Sequence, residues 1–245
     1  MVDGPLRAEL MDSPELPAHE AERALEDIGR THRVAGHGAL LRALLPRLGT
    51  GRRLVLDVGT GRGEVSSRLV EVAHRRGAAV RAVGLDRQLR HLLVGRRHGF
   101  DQMRVVADAR ALPFADGSVD WAFSTLFFHH FAAAANRLIL DEMRRVARAG
   151  AVVADLRRSR LGVWLTRSVL RLLPVGEVAR HDGRVSAEQA WGLDEVRGLV
   201  DADELVELER RWPFRFSLVL EPGPPGRGQT PPLHGGDRPE DPRPG

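Results

Sequence analysis

The segment that most constrains this chain is Leu54-Val55-Leu56-Asp57-Val58-Gly59-Thr60-Gly61-Arg62-Gly63. An apolar run of strand length ends in three glycines at alternate positions, and a helical pattern begins at Glu64. Glycine adopts positive φ and lets a ligand approach the backbone, so a strand–loop–helix of this kind can wrap around a nucleotide. Many nucleotide folds share the Gly-x-Gly element. Here it does not complete a pyrophosphate fingerprint. The register starting at Gly59 needs glycine or alanine where Glu64 stands, and the register starting at Gly61 needs one where Ser66 stands. The plain alternative is an ordinary tight turn with Asp57 as a capping acid.

Apolar runs at 53–58, 80–85, 104–107, 119–124 and 151–154 alternate with helical patterns at 64–75, 88–97 and 133–149. Short buried strands separated by helices imply βαβ units and a parallel sheet. Two further strands, 205–209 and 214–220, lie so close together that an antiparallel hairpin at the sheet edge is expected. Helices are expected at 21–30 and 38–48, with Pro46 as a possible early stop. The chain then divides into a loose start (1–20), one domain (21–221) and a Pro/Gly-rich tail without periodicity (222–245), expected to be disordered. The stretches 21–48 and 156–202 are expected to form a lid, the latter containing an amphipathic helix at 161–173.

Two more acids end strands. Asp86 closes Val83-Gly84-Leu85-Asp86, 23 residues past Gly63, near the spacing at which an acid meets ribose hydroxyls. Asp108 closes Val105-Val106-Ala107-Asp108, where a carboxylate can accept from an adenine amino group. Either could be a solvated loop residue. Three acids at the ends of three successive strands nevertheless converge on one crevice. S-adenosylmethionine, with an ammonium group, a ribose, an adenine and no phosphate, would suit such a set of acids.

On these residues the chain resembles the class I S-adenosylmethionine-dependent methyltransferases, over about 50–155. It is most similar to their small-molecule branch, which contains quinone-biosynthesis enzymes, through Ala107-Asp108-Ala109-Arg110-Ala111-Leu112-Pro113-Phe114-Ala115-Asp116-Gly117-Ser118-Val119-Asp120. The resemblance implies a Rossmann-like, doubly wound α/β fold. Its mostly parallel seven-stranded sheet has the order 3-2-1-4-5-7-6, with the last strand antiparallel. It implies cofactor contacts from Asp57, Gly59, Gly61, Gly63, Asp86, Asp108 and Ala109, and methionine-end contacts from Arg33, Ser124 and Thr125. A narrower resemblance, to bacterial methyltransferases of polyketide or aromatic-lipid biosynthesis, rests on four motifs. These are Leu10-Met11-Asp12-x-Pro14, Leu126-Phe127-Phe128-His129-His130-Phe131, Asp155-Leu156-Arg157-Arg158-Ser159 and His181-Asp182-Gly183.

Methyl transfer from a sulfonium is an in-line displacement that loses charge, so a dry, well-aligned pocket can supply much of the rate. A hydroxyl acceptor would also use a general base, and histidine suits. His129 and His130 follow the fourth strand. Adjacent histidines point in different directions, so at most one is expected to face the acceptor. Asp155, at the end of the fifth strand, can orient a histidine or anchor substrate. Arg158 and His181 are candidate substrate contacts; Arg157 can join Arg158 in binding an anion or remain solvated. His74, His91 and His98 lie among arginines and are expected at the surface. Trp164, Trp191, Phe127, Phe128 and Phe131 either wall the acceptor or pack in the core. No His/Asp/Glu spacing suggests a metal site.

Composition bounds the rest. No cysteine is present, which excludes disulfides, thiolate nucleophiles and Cys-ligated zinc. No apolar run reaches the roughly 18 residues of a membrane span, and residues 1–10 have no signal-peptide pattern. A cytoplasmic protein is the expectation, with peripheral membrane contact through 161–173 as an open option. All 37 basic residues are arginine and Tyr is absent, so the small net charge of +4 drives the isoelectric point high. The arginines alternate with acids, which does not suggest nucleic-acid binding. The expected partner is a hydrophobic small molecule methylated on a hydroxyl or ring carbon. An RNA or protein methyltransferase and a non-catalytic, NAD-binding relative are the rivals. Against the former, Ser124-Thr125-Leu126-Phe127 stands where amino-directed enzymes carry Asn/Asp-Pro-Pro-aromatic.

Overall fold

The structure, a computed structural model, describes residues 7, 9–13, 15–35, 37–100 and 102–223, without the side chains of 12, 18 and 31–35. Arg33's side chain, Pro14 and 224–245 therefore lie outside the described residues.

Five parallel strands form the body of the sheet: β1 (Arg52–Val58), β2 (Ala79–Asp86), β3 (Met103–Val106), β4 (Trp121–Thr125) and β5 (Ala151–Leu156). They alternate with α3 (Glu64–Arg75), α4 (Leu89–Arg97) and α5 (Ala133–Val146). The hairpin of β6 (Leu205–Arg211) and β7 (Arg215–Leu220) is antiparallel, and β7 enters the sheet antiparallel to β5. The order is 3-2-1-4-5-7-6, as the family resemblance implied.

Strand periodicity explains why helices cover both faces. Successive side chains of a strand point to opposite sides. Leu56 and Val58 pack with Ile139, Leu140 and Met143 of α5 on one face. Val55 packs on the other with Leu69 of α3 and with Leu40, Leu44 and Leu48 of α2 (Gly38–Leu48). Burying both faces of each strand requires the near-continuous apolar runs seen in the sequence. Pro46 does not end α2, which runs on to Leu48. Proline removes one donor from that last turn, and there the Arg47 guanidinium donates to the Ala43 carbonyl at 2.5 Å.

The remaining elements form a roof over the C-terminal ends of the strands. They are α1 (Ala18–Ala35), α6 (Arg160–Leu172) and α7 (Glu177–Gln189), whereas the short α8 (Leu193–Arg197) packs Val196 into the same core as Ile139 and Leu140 of α5. The described part of the start is pinned rather than loose. Leu10 and Met11 lie in a 3₁₀ turn and donate their amides to the buried Asp182 carboxylate of α7, at 2.8 and 2.9 Å. Among the described residues no helix is long and apolar enough to cross a membrane.

Candidate active site

Parallel register brings the strand ends to one level. Val58 lies opposite Leu85 and Ser124, Asp86 opposite Val106, and Thr125 opposite Ala154. Beyond that edge a cavity of about 890 Å³ runs between the sheet and the roof. That size is toward the upper end of the roughly 300–1,000 Å³ usual for small-ligand pockets.

One half of the cavity is the glycine loop and its acids. Gly59 has φ 74°, and a Cβ there would lie 2.3 Å from the Phe127 ring. Gly61 has φ 57° and open space where a Cβ would stand, so its backbone is bare to the cavity. Asp86 braces the loop, accepting from Gly61 N at 2.9 Å and from Gln88 N at 2.8 Å, while remaining on the cavity wall. Asp108 and Ala109 line the same half. Hydrogen bonds from Arg110 hold the Asp108 carboxyl down at about 2, so it stays an ionised acceptor.

Asp57 is placed differently from expectation. It is buried beneath the loop, off the cavity wall. One carboxylate oxygen takes hydrogen bonds from Thr60 Oγ1 and Ser66 Oγ, each at 2.7 Å. Burial raises its pKa to about 6 against those two bonds, with the Asp86 charge adding to the rise. The position before the loop therefore shapes the turn. Gly63 starts α3 in a left-handed conformation and is likewise off the wall. Ser124 is buried and donates to the Val58 carbonyl at 2.7 Å. Thr125 does line the cavity, and its buried hydroxyl has no hydrogen-bond partner among the described residues.

The other half is apolar, walled by Leu25 and Ile28 of α1, Val163 and Leu170 of α6, Phe131 and Phe214. Its polar element follows β4. Leu126 takes φ 55°, a conformation costly for a non-glycine residue, and reverses the chain. The amides of Phe127 and Phe128 then both reach Asp155 Oδ2, at 3.0 and 2.7 Å. Asp155 Oδ1 accepts from Leu156 N at 2.5 Å and lies 2.7 Å from His129 Nδ1. Burial resists charge on His129, but the Asp155 carboxylate and its hydrogen bond outweigh this and raise the histidine's pKa. The same pairing overcomes burial at Asp155 and holds its carboxyl low. His130, half-buried beside His129, is pushed down to about 3, by lost solvation and by the neighbouring imidazole. Both histidines line the cavity. Successive residues of this 3₁₀ turn place their rings side by side, with centroids 4.3 Å apart.

Other candidates fall outside the cavity. The Arg158 guanidinium pairs with Glu195 of α8 and donates to the Ala190 carbonyl, which braces the roof. Arg157 reaches the wall instead, with its buried Nε unpartnered among the described residues. His181 sits outside, on a surface recess with Arg167, Arg171, Arg180 and Arg184, its Nδ1 2.9 Å from Asp182. Of the aromatics, Phe127 and Phe131 line the cavity, Trp191 and Phe128 belong to the core, and Trp164 is exposed. His91 was expected at the surface. It is buried in the wall, its Nδ1 3.8 Å from Asp86. Sequence reading missed Glu9, which lies 3.8 Å from both catalytic-candidate histidines and comes from the stretch expected to be loose. No local pattern marks it, because its neighbours in space are about 120 positions away.

Residues 56–154 match the family described as "Methyltransferase domain". Over this stretch the chain is similar to methyltransferase domains. The chain is 30% identical over 158 residues to the demethylmenaquinone methyltransferase of Renibacterium salmoninarum, a match covering 62% of each chain. It is 34% identical over 158 residues to that of Paenarthrobacter aurescens, covering 62% of this chain and 58% of the relative. The match thus spans about three fifths of these relatives' length. Among solved structures, a SAM-dependent methyltransferase from Aquifex aeolicus superimposes with a TM-score of 0.57 at 16% identity, covering 84% of this chain and 98% of that one, a likeness of fold.

The methyltransferases that this stretch resembles use S-adenosylmethionine, and the residues present suit it. The bare backbone at Gly61 allows close approach, Asp86 and Asp108 offer carboxylate acceptors, and the unpartnered Thr125 hydroxyl offers a further polar contact. When bound, this cofactor supplies an electrophilic methyl group on a sulfonium centre.

Proposed function

We propose that the protein transfers a methyl group from S-adenosylmethionine to a hydrophobic small-molecule acceptor bearing a phenolic, quinone-like or polyketide hydroxyl or ring carbon. One observation carries the reading. The glycine loop and an apolar chamber share one continuous cavity, and a buried His–Asp pair stands in its wall. Asp86, Asp108, Ala109 and Gly61 hold the nucleoside half. Leu25, Ile28, Val163, Leu170 and Phe131 exclude water from the acceptor half, which favours a displacement that loses charge. Asp155 fixes His129 with Nδ1 toward itself, leaving Nε2 to take the acceptor's proton. A hydroxyl is the preferred acceptor because its proton can leave to that base as the methyl group arrives. A ring carbon loses its proton to the same nitrogen in a second step.

The curated relatives are named for demethylmenaquinone, and an apolar ring acceptor of that class supports the same reading. The test is incubation with S-adenosylmethionine and a panel of phenols and reduced quinones, read by product mass spectrometry and release of S-adenosylhomocysteine. Methylated product from at least one apolar phenol or quinol is expected. No product from any of them, with cofactor binding intact, would sink the acceptor class. Absence of calorimetric cofactor binding by folded protein would sink the whole reading.

A further inference from the structure

We propose that Glu9, His129 and His130 form a binding site for one divalent transition-metal ion, with Asp155 as the outer carboxylate that orients His129. Glu9 Oε1 lies 3.8 Å from His129 Nε2 and 3.8 Å from His130 Nδ1. One ligand atom from each of the three residues falls within 4.8 Å of the others. Two donors each about 2.1 Å from a tetrahedral ion stand about 3.4 Å apart, so the two Glu9–histidine separations exceed that spacing by only a few tenths of an ångström. Two imidazoles and one carboxylate suit borderline ions such as zinc, iron(II) or cobalt(II) rather than magnesium or calcium.

The supporting groups point the same way. With the Nδ1 proton on His129 directed at Asp155, the Nε2 lone pair faces the Glu9 carboxyl. Metal-bound histidines are held by such an outer carboxylate. The Ser186 hydroxyl donates to Glu9 Oε1 and fixes it from the far side. Two imidazole nitrogens and a carboxyl oxygen are turned toward one another, with Glu9 and His129 buried and His130 half-buried, a setting that favours positive charge between them. All three residues line the cavity, so an ion held on three protein ligands keeps an open face toward the chamber.

This gives the ion a use that rests on the hydroxyl-acceptor reading above, although ion binding itself does not. An acceptor hydroxyl entering the open face binds as an oxyanion and releases its proton to water, with no change in oxidation state. With the ion in place, His129 is a ligand and the ion takes over the task of acidifying the acceptor.

The experiment uses chelator-treated full-length protein titrated with Co²⁺, in the absence of cofactor and acceptor. It is read by visible absorption of the bound ion and by elemental analysis after desalting. One equivalent bound per chain is expected. Glu9→Gln and His130→Gln should each weaken binding by at least about tenfold, since even outer partners are worth 10–100-fold. An exposed grouping of Glu22, Glu26 and His98 also offers ligand atoms, so His98→Gln serves as the control and should leave affinity unchanged. Thermal melting confirms that each variant is folded. Failure of the wild type to bind one equivalent overturns the proposal without recourse to any variant. So does binding that survives both Glu9→Gln and His130→Gln, or that is lost with His98→Gln. Because no methyl donor is present, a negative result here leaves the methyltransferase reading standing.

Discussion

His129 Nδ1 and Asp155 Oδ1 lie 2.7 Å apart, both side chains buried at the end of β5 where the sheet meets the cavity. The same carboxylate also receives three backbone amides, so it builds the turn as well as aiming the imidazole.

Asp155→Ala would leave those amides and His129 without their acceptor. Breaking a buried charge network in this way costs about 3–5 kcal/mol. Urea denaturation should show a loss of that order, and a change under about 1 kcal/mol would mean that the carboxylate is not the organiser of this turn.

Asp57 carries a pH signature. Its pKa is about 6 in the fold against 3.8 as an ordinary carboxyl, raised chiefly by burial. Below pH about 4 the group is protonated folded or unfolded, and its own contribution to stability is at its fullest. As pH rises from about 4 through 6 the unfolded chain releases this proton first, and stability falls by an amount on the order of 3 kcal/mol. Asp57→Asn should flatten that slope in the absence of cofactor. Melting curves of the two proteins that run parallel from pH 4 to 7 would contradict the assignment.

Two glycine substitutions should separate folding from binding. Gly61→Ala meets open space and costs about 1–2 kcal/mol for its left-handed backbone, yet its methyl group enters the cavity. Calorimetry should show S-adenosylhomocysteine affinity at least about tenfold weaker, equivalent to about 1.4 kcal/mol. Gly59→Ala adds a collision with Phe127, worth a further 1–3 kcal/mol or so. It should melt clearly below Gly61→Ala.

Arg158→Ala should leave the acceptor KM unchanged and lower stability by about 1 kcal/mol, because the guanidinium serves Glu195 and the Ala190 carbonyl. A KM raised severalfold with stability intact would restore it to the substrate site.

What could be read beforehand follows from how local each signal is. The doubly wound sheet was legible because strands buried on both faces must be continuously apolar, as Leu54 to Val58 and Ala151 to Ala154 are. The loop glycines and the strand-end acids Asp86 and Asp108 were legible because parallel register alone carries them to one edge. Asp57 misled because a loop-preceding acid can face either the ligand or the turn, and Thr60 and Ser66, three and nine residues on, decide for the turn. Glu9 escaped notice, and His91 was expected at the surface, because tertiary packing, not spacing, gives them their neighbours. Arg158 and His181 lie where the insert was expected to meet substrate, but which side of a roof helix faces inward depends on docking that short motifs do not encode.

The cavity's two halves come from different parts of the chain. The nucleoside half belongs to 56–154, whereas the apolar half is largely roofed by α1, α6 and α7, outside it. Donor recognition and acceptor choice are therefore separately mutable. Drift in the roof can exchange one acceptor for another while the loop that holds the methyl donor stays under its own selection. A chimera carrying another roof on this sheet would inherit the donor's affinity and the newcomer's taste in substrates.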